Sequence, residues 1–267
     1  MRLSKSQIEQ FHKDGYLLFP ELFSPDEVDV LKAEAERIAQ IDDQCVAREG
    51  ATGRVKAMFR LHETDGPTAS KAYRAAAHSP RILEPVKQLL NDPDIYIHHT
   101  KVNMKAAIEG SAWPWHQDFG SWHLDGIAKP EMLTVMIALD EATEFNGCLH
   151  FLPGTHADGR LNPYYDTSTA WKLWAVTPQD VKAYMKEKAR PVAITGKPGF
   201  VAFFHCNLLH ASGHNLSPDD RTQAYFCFNR VANRPADVDN PRPDFVRSTN
   251  WAPIKVGSDA AILEAAA

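Results

Sequence analysis

The sequence predicts a mainly β core with α-helical decoration. In the first third of the chain, helical patterns begin with clear start signals. From Asp94 onward the chain changes to short segments rich in β-branched and aromatic residues, and turn dipeptides containing glycine separate them. We expect one domain over residues 1–267, because single sandwiches and barrels commonly reach about 200 to 250 residues.

Composition narrows the class of protein and of partner. Hydrophobic residues at 44% and charged residues at 24% exclude a disordered, collagen-like or coiled-coil chain. The 29 basic and 34 acidic residues give a net charge of -5, and no helix carries a basic stripe. We therefore expect neither nucleic acid nor an anionic membrane as partner.

The lack of a recognisable targeting signal and the spacing of the cysteines predict a reduced, cytoplasmic protein. No run approaches about 18 apolar residues, and the N-terminus lacks the apolar stretch of a secretory signal. The four cysteines show no C-x-x-C spacing, and three of them lie in apolar segments that resemble strands. We expect no disulfide and no zinc knuckle.

Four segments begin with a helix N-cap signal. A serine precedes a glutamate at capping-box spacing, or a serine or threonine precedes a proline at the first helical position. The predicted helices start at the caps Ser6, Ser24, Ser79 and Thr177, and the last three end near Gln40, Asn91 and Lys188. The fourth lies between strands and is an insertion.

Six segments have the composition of strands. Asn146-Gly147, Pro153-Gly154 and Pro198-Gly199 mark the turns between some of them. The predicted strands span residues 95–104, 133–139, 148–152, 191–194, 200–205 and 222–228.

A redox metal needs a few ligands on one side and open positions on the other, and two histidines with one carboxylate supply this for iron(II). Because residues i and i+2 of a strand point to the same side, an H-x-D pair on a strand can hold one ion. With 12 histidines in the chain, one or two such matches are expected by chance. The pairs are His12/Asp14, His116/Asp118, His123/Asp125 and His156/Asp158.

Sequence context favours His116 and Asp118. Four aromatic residues flank this pair, as expected for a small-molecule pocket: Trp113, Trp115, Phe119 and Trp122. The pair at residues 12 and 14 ends a helix, and the pair at 156 and 158 follows a turn, so both are interpreted as polar surface. The pair at 123 and 125 is the fallback.

The third ligand is expected from a distant strand. His205 and His210 bracket the end of an apolar strand, although a lone histidine is more often a satisfied polar residue than a ligand. Arg221 follows His210 by eleven residues, and its guanidinium suits a planar carboxylate. The alternative for Arg221 is a surface ion pair with Asp219 or Asp220.

Three segments together resemble one enzyme family. They are Trp115-His-Gln-Asp-Phe119, the stretch 146–156 from Asn-Gly to Pro-Gly-Thr-His, and the run from Leu209 to Arg221. They resemble the phytanoyl-CoA dioxygenase family of iron(II)- and 2-oxoglutarate-dependent oxygenases. Residues 7–19 and 24–28 also resemble the N-terminal helices of that family. The most similar subgroup is ectoine hydroxylase, although Gly120 and His99 depart from its motif.

The resemblance implies a double-stranded β-helix, a jelly-roll, cupin-like fold with iron at one mouth. It places His116, Asp118 and His210 on the metal ligands and Arg221 on the anchor for the 2-oxoglutarate carboxylate. Lys101, Thr134, Ser212 and Asn103 fall on positions that assist in holding this cosubstrate, and His99, Trp122 and Tyr225 fall on positions near the substrate. Ordinary β propensity for Thr134, an edge-strand position for Lys101 and an aromatic core stripe for Trp122 are the alternatives.

The implied activity is hydroxylation of an unactivated C–H bond in a small metabolite. Iron(II), 2-oxoglutarate and dioxygen would take part, with release of succinate and carbon dioxide. Desaturation, epoxidation or ring closure at the same site, and a non-catalytic metal-binding β-barrel module, remain alternatives. A zinc hydrolase could use the same ligands, but no nearby glutamate has the spacing of a general base.

Overall fold

A seven-stranded antiparallel sheet, covered on one face by helices, carries most of the core. The computed structural model describes residues 1–169 and 171–266, so residues 170 and 267 of the predicted domain lie outside it. The helices are α1 (Lys5–Asp14), α2 (Pro25–Ala39), α3 (Lys71–His78), α4 (Pro80–Leu90), α5 (Asp118–Trp122), α6 (Pro178–Glu187) and α7 (Ala261–Glu264). Every helix in the described ranges is too short or too polar to span a bilayer.

The strands form three antiparallel sheets. They are β1 (Tyr16–Phe19), β2 (Val46–Arg48), β3 (Val55–Phe59), β4 (Ile95–Lys105), β5 (Trp113–His116), β6 (Met132–Ala138), β7 (Leu149–Phe151), β8 (Pro163–Asp166), β9 (Leu173–Val176), β10 (Val192–Ile194), β11 (Val201–His205), β12 (His210–Ser212) and β13 (Arg221–Arg230). The large sheet has the order β1-β11-β6-β13-β4-β3-β2, and the small sheet has the order β10-β7-β12-β5. Strands β8 and β9 pair with each other and form a third, two-stranded sheet.

Alternation along the central strands separates two faces of the large sheet. In β13, Ala224, Phe226 and Phe228 belong to the cluster that packs against the helices. Tyr225 belongs to a second cluster that also contains Phe151 of the small sheet. Because side chains alternate at period two, Arg221, Gln223 and Cys227 lie on the same face as Tyr225. The candidate metal centre lies on that face.

The helix predictions are confirmed, with one correction at the first cap. Ser4, and not Ser6, caps α1, because its hydroxyl accepts a hydrogen bond from the Gln7 backbone while the Gln7 side chain accepts from the Ser4 backbone. Glutamine completes the capping box as well as glutamate does. Ser24 caps α2 as predicted. Helix α3, capped by Ser70, was not predicted, because its 8 residues are too few to show a clear helical period.

All six predicted strands are present, with ends shifted by one or two residues. The strands that were missed have only three to five residues, and several of them contain proline or a charged residue. Two of them, β5 and β12, lie side by side and carry the histidines of the site. The four cysteines are free and buried.

Candidate metal centre and active-site cavity

Three predicted ligands meet at one point of the sandwich. His116 ends β5, His210 begins β12, and the two are cross-strand partners. One ligand atom from each histidine and one from Asp118 all lie within 4.8 Å of one another. Asp118 is the first residue of α5, so the pair His116/Asp118 spans a strand-to-helix junction. The expectation that both residues lie on one strand is wrong.

Hydrogen bonds orient both imidazoles. Nδ1 of His116 lies 2.7 Å from the Pro114 carbonyl oxygen, and Nδ1 of His210 lies 2.9 Å from that of Leu208. Because a carbonyl oxygen only accepts, each Nδ1 carries the proton and each Nε2 keeps a free lone pair. The two Nε2 atoms are each 3.9 Å from Oδ1 of Asp118.

Burial sets the charge of these groups. It lowers the pKa of His116 to about 3, and it also lowers the pKa of His210. Burial alone would raise the pKa of Asp118, but the nearby imidazoles and the Lys101 ammonium outweigh it and hold that pKa below its ordinary value. The donor set is therefore two neutral imidazoles and one carboxylate, which fits iron(II) with part of its coordination sphere left open.

The other H-x-D pairs have different surroundings. Asp125 of the fallback pair is held by Arg242, whose guanidinium donates to both carboxylate oxygens at 2.6 to 3.1 Å. Nδ1 of His123 lies 3.1 Å from the Ile127 carbonyl oxygen. The carboxylate of Asp158 bonds the ammonium of Lys188 at the surface. None of these pairs belongs to the three-residue cluster.

His205 does not reach the centre. Its Nδ1 accepts a 3.0 Å hydrogen bond from the Asn207 backbone, and its ring packs 5.1 Å from that of His156 and 6.4 Å from that of Phe11. Of the two histidines that bracket the apolar strand, only His210 lies beside Asp118.

Arg221 lies in the interior, not at the surface. Its side chain is 1% exposed and donates to the Gln223 side-chain oxygen at 2.6 Å and to the Gly147 carbonyl at 2.7 Å. Among the described residues, no carboxylate oxygen lies within 4.0 Å of it, and its Nε has no partner. The surface ion pair is wrong, since Asp220 pairs with Arg54 instead. A buried guanidinium bonded only to neutral groups fits a carboxylate ligand.

Gly147 supports the guanidinium through its backbone. Its carbonyl accepts hydrogen bonds of 2.7 Å from both Arg221 and the Ser212 hydroxyl. The residue has a φ of +75°, and a Cβ there would lie 2.6 Å from the Gly213 carbonyl oxygen. The predicted Asn146-Gly147 turn therefore requires glycine for both conformation and space.

The two central strands of the large sheet bring a column of polar residues together on the inner face. The cross-strand pairs are Arg221 with Lys105, Gln223 with Asn103, Tyr225 with Lys101 and Cys227 with His99. Side-chain atoms without partners occur along it, at Asn103 Oδ1 and Gln223 Nε2. Lys101 lies on an inner strand, so the edge-strand alternative is wrong.

A cavity opens beside His116 and Asp118. Its lining residues are Phe59, His99, Lys101, Trp113, His116, Asp118, Ser121, Trp122, Trp171, Leu173 and Arg242. The Lys101 ammonium lies over two rings, 4.8 Å from that of Trp113 and 5.2 Å from that of Tyr225. The wall is thus aromatic and carries two cations.

The predicted substrate-side residues divide into two groups. His99 and Trp122 line the cavity. Tyr225 is not among the lining residues, and its hydroxyl donates a 2.7 Å hydrogen bond to the Gln223 side chain. The prediction that all four aromatic residues around the H-x-D pair line the pocket is wrong for two of them. Trp115 lies in a surface groove with α6, and Phe119 packs in a core cluster.

Sequence reasoning missed Arg242, Phe59 and Trp171, which lie far from the motifs along the chain. The one sequence signal for Arg242 was its position between Pro241 and Pro243, and such a loop does not indicate which way the side chain points. Its partner Asp125 is 1% exposed, which links the fallback motif to the cavity wall.

A model of one protein family matches residues 11–223, and its description is phytanoyl-CoA dioxygenase. The chain belongs to the phytanoyl-CoA dioxygenase family. Membership confirms the predicted family and the dioxygenase class. The match ends just beyond Arg221, so it covers the three clustered ligands and that arginine.

Curated relatives of this family member cover nearly the whole chain. It is 32% identical over 258 residues to an ectoine dioxygenase from Sphingopyxis alaskensis, covering 91% of this chain and 82% of that protein. It is also 32% identical over 256 residues to an L-proline trans-4-hydroxylase from Streptomyces griseoviridis, covering 92% of each.

Solved structures confirm the double-stranded β-helix fold of this family member. The crystal structure of EctD from S. alaskensis with 2-oxoglutarate and 5-hydroxyectoine is 30% identical, with a TM-score of 0.80, and the match covers 95% of this chain and 86% of that chain. The same enzyme with bound Fe gives a TM-score of 0.80 at 29% identity over 96% and 87% of the two chains.

Proposed function

We propose that this dioxygenase hydroxylates a C–H bond of a small metabolite that carries a carboxylate, using iron(II), 2-oxoglutarate and dioxygen. One observation carries the proposal: two neutral imidazoles and a carboxylate converge beside a buried arginine that has no acidic partner among the described residues. The enzyme class and its cofactors agree with the relatives that bind Fe and 2-oxoglutarate.

Each cofactor has a set of residues that would hold it. His116, Asp118 and His210 would hold iron(II), and Arg221 with Ser212 would hold the remote carboxylate of 2-oxoglutarate. When bound, iron(II) with 2-oxoglutarate and dioxygen supplies the oxidation that hydroxylates the substrate and yields succinate and carbon dioxide. Lys101 adds positive charge for the dianionic cosubstrate, and the carbonyls of Pro114 and Leu208 hold the imidazoles in the tautomer that binds metal.

Asn103 and Thr134 support this arrangement from within the sheet. Thr134 donates to Oδ2 of Asp118 and leaves Oδ1 facing the two histidines. Asn103 lies across from Gln223 on the neighbouring strand, and its side-chain N–H groups would donate to an oxygen of the cosubstrate. The aromatic side chains of the wall, among them Trp113 and Trp122, would exclude water from the reacting centre.

The cavity wall favours a small zwitterionic or anionic substrate. Lys101 supplies positive charge, Arg242 offers guanidinium N–H donors although Asp125 already pairs with its charge, and Trp122 supplies an apolar face. Burial holds the pKa of His99 well below its ordinary value, so this imidazole is neutral and its Nδ1 is directed at the Val246 carbonyl. Ectoine and L-proline, the compounds named in the relatives, are both small cyclic carboxylates. We propose a substrate of that class, with His99 and Trp122 as contacts.

An anaerobic titration tests the cofactor assignment. Iron(II) and then 2-oxoglutarate are added to the protein, and the visible charge-transfer band of the chelate is recorded. We expect the band in the wild type, its loss in His116→Ala, and a much weaker affinity for 2-oxoglutarate in Arg221→Ala. His123→Ala is the matched control and keeps the band. A wild-type protein without the band contradicts the proposal.

Substrate-dependent succinate release identifies the substrate class. We expect turnover above the uncoupled rate with cyclic amino acids or ectoine, and none with a coenzyme A thioester. Mass spectrometry of the product shows whether it gains one oxygen atom, as hydroxylation requires, or loses two hydrogen atoms, as desaturation requires.

A further inference from the structure

Lys105 is a buried lysine that faces a buried arginine. It ends β4, is 2% exposed, and is the cross-strand partner of Arg221, which is 1% exposed. In residues 1–169 and 171–266, no carboxylate oxygen lies within 4.0 Å of either cation. Like charges directly opposite each other in a sheet repel, and a low-dielectric interior strengthens the repulsion.

Among the residues that the structure describes, the hydrogen-bond partners of the Lys105 ammonium are backbone carbonyl oxygens. It donates to the carbonyl of Ser212 at 3.3 Å and to the carbonyl of Gly213. The Ser212 hydroxyl in turn donates to the Gly147 carbonyl, which also accepts from Arg221. Lys105 therefore bonds the backbone at Ser212 and Gly213, while Arg221 bonds the Gly147 carbonyl and, at 3.4 Å, the Ser212 hydroxyl.

The charged groups around Lys105 disfavour its ammonium form. Burial is the largest cause that lowers its pKa well below the ordinary value, and Arg221 and Lys56 add to the effect. Glu49 opposes it, but this carboxylate already bonds the Lys56 ammonium at 3.3 Å. The buried Cys148 thiol also faces the group and opposes the shift weakly.

We propose that Lys105 is a positioning residue of the cosubstrate pocket that takes up one proton as 2-oxoglutarate binds. The inference rests on the proposed function, because it needs a dianion beside Arg221. Such an anion offsets the repulsion between the two cations and stabilises the ammonium. The buffer acid supplies the proton, and the charged group then holds the carbonyls of Ser212 and Gly213 more strongly.

Calorimetry with 2-oxoglutarate as the titrant tests the proposal on anaerobic protein loaded with iron(II). Titration in buffers of different ionisation enthalpy gives the number of protons taken up per ligand. We expect uptake approaching one proton in the wild type, and an affinity for 2-oxoglutarate that falls as the pH rises through the window between the free and bound pKa of Lys105.

Three variants separate the proposed role from a merely structural one. Lys105→Met loses the uptake and binds 2-oxoglutarate about tenfold or more weakly. Lys105→Arg is permanently charged, so it retains more affinity than Lys105→Met but shows no uptake. Lys129→Met is the control for loss of one lysine, since that side chain is 69% exposed, and it keeps both properties. If circular dichroism shows that Lys105→Met is unfolded, the absence of proton uptake in Lys105→Arg tests the proposal.

Three results would overturn the inference. A wild type that binds 2-oxoglutarate without uptake between about pH 6 and 10 contradicts it and leaves the proposed function intact. Uptake that persists in Lys105→Met or Lys105→Arg assigns the proton to another group. A wild type that does not bind 2-oxoglutarate removes the proposed function and this inference together.

Discussion

The Thr134 hydroxyl donates a 2.8 Å hydrogen bond to Oδ2 of Asp118, while Oδ1 of the same carboxylate lies 3.9 Å from Nε2 of both histidines. The strand β6 thus fixes which oxygen faces the metal site. Hydrogen bonds to the groups that hold a metal orient them and affect metal affinity.

Removal of the Thr134 hydroxyl is expected to weaken iron binding. Thr134→Val keeps the shape but leaves Asp118 Oδ2 without its donor, which costs about 1 to 3 kcal/mol. We expect the affinity for iron(II) to fall by about 10- to 100-fold, and Thr134→Ser to retain most of it. An anaerobic competition titration with a chelator measures both. Equal affinity in wild type and Thr134→Val would contradict the role of this hydroxyl.

The pair Asp125 and Arg242 is expected to affect substrate binding and not cosubstrate binding. Asp125→Asn removes the charge that holds the guanidinium in the cavity wall, so KM for the substrate rises while the Kd for 2-oxoglutarate stays within about twofold. Arg242→Gln gives the same pattern with a larger rise in KM. A parallel rise in the 2-oxoglutarate Kd would show a general structural effect instead.

Gly147→Ala is expected to damage the cosubstrate pocket. The new methyl group would meet the Gly213 carbonyl at 2.6 Å, so the turn must move and take the acceptor of Arg221 with it. Gly53→Ala is a matched control, because Gly53 has a φ of +70° and no atom within 4 Å of the added Cβ. We expect about 1 kcal/mol of destabilisation in the control, a larger loss in Gly147→Ala, and weaker 2-oxoglutarate binding only in Gly147→Ala. Urea unfolding and calorimetry measure these effects.

The buried ion pair of Glu27 and Arg81 predicts a loss of stability in acid. Burial alone would raise the pKa of Glu27, but the hydrogen bonds and charge of Arg81, with those from Ser24, outweigh it and hold that pKa below its ordinary value. A depressed carboxyl pKa stabilises the fold above the unfolded value and loses this contribution as the pH falls through the folded value. We expect the gap in free energy of unfolding between wild type and Glu27→Gln to shrink as the pH falls below about 4.5.

The control for that titration is Glu34→Gln. Glu34 pairs with Arg37, whose side chain is 51% exposed, so solvent screens the pair and the stability change is expected to be small at every pH. A gap for Glu27→Gln that stays constant with pH would contradict the linkage.

Local rules predicted most of the elements and failed where the chain was short or polar. The caps Ser24, Ser79 and Thr177 begin helices because a side-chain oxygen next to proline satisfies free backbone donors without help from the rest of the fold. The strand β12 has three residues and gains its order from β5 and β7 on either side. No pattern within three residues could predict that pairing.

The extent of the domain over residues 1–267, a cytoplasmic location and the absence of a nucleic-acid partner remain predictions. Family membership and the likeness to EctD bear on the fold and the class of reaction.

The residues at 116, 118, 210 and 221 could be chosen from the sequence because their chemical types and spacing form a rare joint pattern. Tertiary structure alone decided that Asp125 serves Arg242 and not a metal, that Tyr225 lies behind the cavity, and that Lys105 faces Arg221. The physical reason is that ligand type and local spacing are properties of the chain, whereas burial, charge pairing and the direction of a side chain depend on which distant strands become neighbours.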